Sequence, residues 1–64
     1  MKSETRNILL QAYAQLQRIA DDLYTAADIA SDNDDFDDSS LLSARADKIY
    51  EEAENLEIVI SELE

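Results

Sequence analysis

The chain has 64 residues, five basic against sixteen acidic, and a formal charge of −11, with no Cys, His, Gly or Pro. One small domain is the most such a length supports. The missing residue types exclude disulfides, thiolate and imidazole metal sites, histidine general bases and glycine-built phosphate loops. The acidity disfavours direct binding to nucleic-acid backbones or anionic membranes and favours a basic partner.

Met1-Lys2-Ser3-Glu4-Thr5-Arg6 leads into an amphipathic pattern rather than a signal-peptide core, and no apolar run is long enough to cross a bilayer. The expectation is a soluble cytoplasmic protein. In the first run, about residues 3–31, Leu9, Tyr13, Leu16, Ala20, Leu23, Ala27 and Ala30 step alternately by four and three. That spacing predicts one continuous helix with a seam facing another helix. Ser3 is the expected N-cap and Glu4 a favourable first-turn carboxylate.

Residues 32–39 form an acidic break, Asp32-Asn33-Asp34-Asp35-Phe36-Asp37-Asp38-Ser39, read as the loop of a hairpin. Its carboxylates superficially suggest calcium, but counting from Asp32 the sixth and twelfth positions are Asp37 and Ser43, where an EF-hand needs Gly and Glu. Phe36 reads either as a plug for the end of the bundle or as an anchor offered to a partner. In the second helix, about 40–63 and capped by Ser39 or Ser40, Leu42, Ala46, Ile49, Ala53, Leu56, Ile60 and Leu63 repeat the same steps.

Small and large residues alternate along both seams, as in antiparallel four-helix bundles. The fold expected over 1–64 is therefore all-α, a single antiparallel helical hairpin that pairs with a second copy to form a homodimeric four-helix bundle. Leu9, Tyr13, Leu16, Ala20, Leu23, Ala27, Leu42, Ala46, Ile49, Ala53, Leu56, Ile60 and Leu63 would form the dimer core. Lys2 and Arg6 lie at the open end and Asp34, Asp35, Asp37 and Asp38 at the loop, so charge favours docking the two copies with their loops at opposite ends.

Ile8, Leu10 and Ile58, with Val59, add apolar surface beside the seams near the open end. With Phe36 they are candidate apolar contacts for a partner. Tyr24 and Tyr50 read as packing at the core edge. Asp47, Glu51, Glu54 and Glu57 form an outward carboxylate stripe that costs helix stability. The stripe and the loop aspartates Asp34, Asp35, Asp37 and Asp38 are the candidate partner-binding acidic face.

In length, hairpin layout and seam alternation the chain resembles the Rop-type RNA-binding hairpin dimers. That resemblance implies an RNA-regulatory alternative on the polar stripe Asn7, Gln11, Gln15 and Arg18. The leading expectation is a small non-enzymatic interaction module without cofactor or metal. It would be an inhibitor or antirepressor of phage or mobile-element type whose DNA-mimicking acidic surface blocks a basic, nucleic-acid-binding protein. A third class is a structural or adaptor subunit using Ile8, Leu10 and Ile58.

Overall fold

A computed structural model describes residues 1–63, which form two helices, α1 over Ser3–Asp32 and α2 over Phe36–Leu63. Neither helix contains Gly or Pro to interrupt it. They run antiparallel. Tyr13 of α1 meets Glu57 of α2, and Tyr24, eleven residues on, meets Asp47, ten residues back. The Met1 amino group reaches the Leu63 carbonyl at 3.0 Å, closing the open end.

Both helix starts differ from the sequence expectation. The N-cap of α1 is Lys2, with no side-chain capping bond, and Ser3 is already helical. The predicted loop 32–39 contracts to Asn33, Asp34 and Asp35, so α2 begins at Phe36, and Ser39 and Ser40 lie inside it. The cause is the way α1 ends. Asp34 adopts φ 63°, the Asp34 amide donates to the Ser31 carbonyl at 3.1 Å, and the Asp35 amide donates to the Ala30 carbonyl at 2.8 Å.

This is a Schellman closure with Asp in the place usually held by Gly, and it reverses the chain in three residues. The Ser39 amide then donates to the Asp35 carbonyl at 2.9 Å, the first bond of α2. Asp37 and Asp38 fall in the first turn, where the helix dipole favours carboxylates. Phe36 does not plug the hairpin: it is 61% exposed.

The seam splits into two rows with different fates. The buried residues are Ala20, Ala27, Ala46, Ala53 and Ile60, with Ala20 and Ala46 fully shielded. Alanine at four of these five positions favours helix axes toward the short end of the roughly 8–10 Å packing range. The large row, Leu9, Leu16, Leu23, Leu42, Ile49 and Leu56, is only half-buried, and Leu63 is 54% exposed. The hairpin thus hides these four alanines and Ile60 and leaves its leucines partly wet.

The shape carries the same message. The hairpin measures 48 × 15 × 9 Å with a radius of gyration of 14.7 Å, against roughly 11 Å for a compact globule of this length. Its accessible surface is 4843 Å², where a compact protein of 7.2 kDa exposes about 4100 Å². The excess of about 700 Å² is close to the roughly 800 Å² that each partner buries in an ordinary protein interface.

Candidate interaction surfaces

Asp47, Glu51, Glu54 and Glu57 are all exposed along α2, as the stripe pattern requires. Two of them are held by α1. The Tyr24 hydroxyl donates to Asp47 Oδ1, and the Tyr13 hydroxyl donates to Glu57 Oε2 at 3.2 Å while accepting from Gln17 Nε2 at 2.9 Å. Glu51 pairs with Lys48 at 3.7 Å one helical turn away, an exposed contact of small energetic weight. The carboxylate stripe is therefore positioned partly by the neighbouring helix.

These bonds leave a mark on the tyrosines. The Tyr24 phenol is raised above its ordinary value of 10.0, chiefly by its hydrogen bond to Asp47, with desolvation and the Asp47 charge adding to it. Tyr13 is raised chiefly by desolvation and then by the Glu57 charge and hydrogen bond. In both cases ionisation would place a phenolate beside a carboxylate. Core-edge packing alone, as read for Tyr24, missed this role; the register of an antiparallel hairpin brings Tyr24 level with Asp47 and supplies the signal.

At the loop, Asp34, Asp35, Asp37 and Asp38 surround Phe36 and line an open hollow of about 390 Å³. A second open hollow, about 460 Å³, lies along α2 between Glu54, Glu57, Ile58, Ser61 and Glu62, placing the apolar Ile58 against the acidic stripe. Ile8 and Leu10 are exposed on α1. Ile19, Ile29 and Leu41 are exposed as well, and the sequence reading did not single them out. Among the described residues, no group of three or more carboxylates is placed to hold a metal ion.

No protein-family model, curated protein or solved structure matches the chain. Asn7, Gln11, Gln15 and Arg18, the polar stripe of the RNA alternative, are exposed on α1. No helix among the described residues is long and apolar enough to cross a membrane.

Proposed function

We propose that the protein is a non-enzymatic interaction module, a homodimeric helical bundle whose carboxylate surface occupies the basic groove of a nucleic-acid-binding protein. It would act as an inhibitor or antirepressor of the kind phages and mobile elements encode. The observation that carries this reading is the spacing and anchoring of the α2 stripe. Asp47, Glu51, Glu54 and Glu57 are four carboxylates on one side of an eleven-residue stretch of helix.

At 1.5 Å per residue the row spans about 15 Å, or one charge about every 5 Å, of the same order as the phosphate spacing of a nucleic-acid strand. A single DNA strand carries one phosphate per roughly 3.4 Å along the axis. Asp47 and Glu57, at the two ends of this row, are held by Tyr24 and Tyr13, which reduces the ordering cost on binding. The half-buried leucine row supports the homodimer, because a lone hairpin leaves it in water.

The test compares the wild-type chain with the triple charge reversal Asp47→Lys, Glu51→Lys, Glu54→Lys, each immobilised and exposed to a bacterial lysate. The wild type is expected to retain nucleic-acid-binding proteins that added duplex DNA displaces. The variant, still helical and dimeric, is expected to lose them. Retention that DNA does not displace, or that survives the reversal, would refute the mimicry.

A further inference from the structure

The half-buried row has a definite side. Each helical residue turns the chain by about 100°, so the leucine row sits about 50° to one side of the buried alanine row. The helices are antiparallel and meet through the alanines, so that side is the same face of the hairpin for both. Tyr24, Asp47 and Glu57 fall on the opposite side of the alanine row and bond across the hairpin there. One broad face is thus tyrosine and carboxylate, the other leucine.

The leucine face of α1 is wider than its leucines. Leu9, Ala12, Leu16, Ile19, Leu23, Ala26 and Ala30 step by three and four without a break, a second complete seam beside the first and with no charged member. The hairpin leaves this seam without a helix to face: Ile19 is 46% exposed, and the others are half-buried. On α2 the equivalent positions hold Leu42, Ile49, Leu56 and Val59, but also Arg45 and Glu52.

We propose that a second copy of this chain docks on the leucine face with its loop at the opposite end, α1 against α1, on a twofold axis passing beside Ile19. This rests on the homodimer reading above and assigns it a face, a direction and a register. With the axis there, Leu16 and Leu56 of one copy layer with Leu23 and Ile49 of the other, and Ile19 meets Ile19. The half-buried leucines are then covered at matched heights.

Charge selects the direction and the register together. With the axis beside Ile19, Arg6 comes level with Asp32 of the second copy, and Lys2 with the end of its acidic loop. Docking with both loops at one end would instead bring two sets of Asp32, Asp34, Asp35, Asp37 and Asp38 together, whereas the proposed direction brings together only one like pair, Glu52 with its own copy near the axis. The surplus exposure of about 700 Å² per hairpin is the area that this contact needs to remove.

The test uses the full chain. Sedimentation equilibrium of the wild type should show a dimer. Ile19→Cys, a change at an exposed position in a chain without other cysteines, should form a 19-to-19 disulfide under mild oxidation. Gln11→Cys, exposed and off the seam, should not. Ile19→Glu should keep its helicity and weaken dimerisation roughly tenfold or more by burying two like charges on the axis. A monomeric wild type would overturn both the homodimer and this assignment. A dimeric wild type in which Ile19→Cys cross-links no better than Gln11→Cys would overturn the face and register alone.

Discussion

Replacing Asp34 isolates the conformational term at the reversal of the chain. Asp34 sits at φ 63° between two bonds that close α1, from its own amide to Ser31 and from the Asp35 amide to Ala30. A side chain with a Cβ costs about 1–2 kcal/mol in this left-handed region, somewhat less for Asp. Glycine removes that cost but loses about 0.5–1 kcal/mol through its freer unfolded chain. Asp34→Gly is therefore expected to stabilise the fold by about 0.5–1 kcal/mol.

Asp34→Ala removes the same negative charge and keeps the Cβ, so it should fall about 1 kcal/mol below Asp34→Gly. For a domain of this size that gap is roughly 4–8 °C in Tm. Urea titration followed by circular dichroism, at one protein concentration because the proposed self-association would add to stability, gives the comparison. An Asp34→Ala protein as stable as Asp34→Gly, with equal m-values, would show that charge relief and not backbone conformation governs this site.

The alanine row and the tyrosines yield two more expectations. Ala53→Leu, at a residue 1% exposed, should push the helices apart and cost about 1–3 kcal/mol, while Ala44→Leu on the exposed side of the same helix stays within about 0.5 kcal/mol; thermal melts of the pair decide it. Because Tyr13 and Tyr24 hold their protons more tightly folded than unfolded, the stability they contribute is complete below pH 10.0 and lost as pH rises through their raised folded values. Combining Tyr13→Phe with Tyr24→Phe should remove this part of the alkaline decline in a series of pH-dependent melts, and a decline unchanged in the double variant would show that these bonds do not form in solution.

The helical hairpin was legible because its signals agree at every level: unbroken four-and-three spacing, no Gly or Pro, and an acidic break near the middle. The loop was misjudged because Ser39 and Ser40 are strong caps in isolation, whereas the left-handed Asp34 reverses the chain sooner and leaves both serines inside α2. Ile19 lies off the first seam of α1, the one that a hairpin alone requires. A helix in a four-helix bundle has two neighbours, and the second seam through Ala12, Ile19 and Ala26 is as regular as the first. The tyrosine bonds needed the register between helices, which spacing within one helix does not supply.

The division of the hairpin into two faces resolves a conflict in the composition. A charge of −11 on each copy opposes self-association, and two copies together carry −22. If the carboxylates were spread evenly, every docking direction would meet them. On the leucine side of α1, from Leu9 to Ala30, there are none, and on the corresponding side of α2 from Leu42 to Leu63 there is only Glu52, two turns from Arg45 and from Val59. Apart from Glu52 near the axis, repulsion between the copies in the proposed pair would then be long-range, the part that salt at 0.1 M screens within about 10 Å, while the apolar contact acts at short range and is not screened. In the proposed pair the acidic face would remain turned outward, where its density would serve the proposed basic partner instead of opposing the second copy.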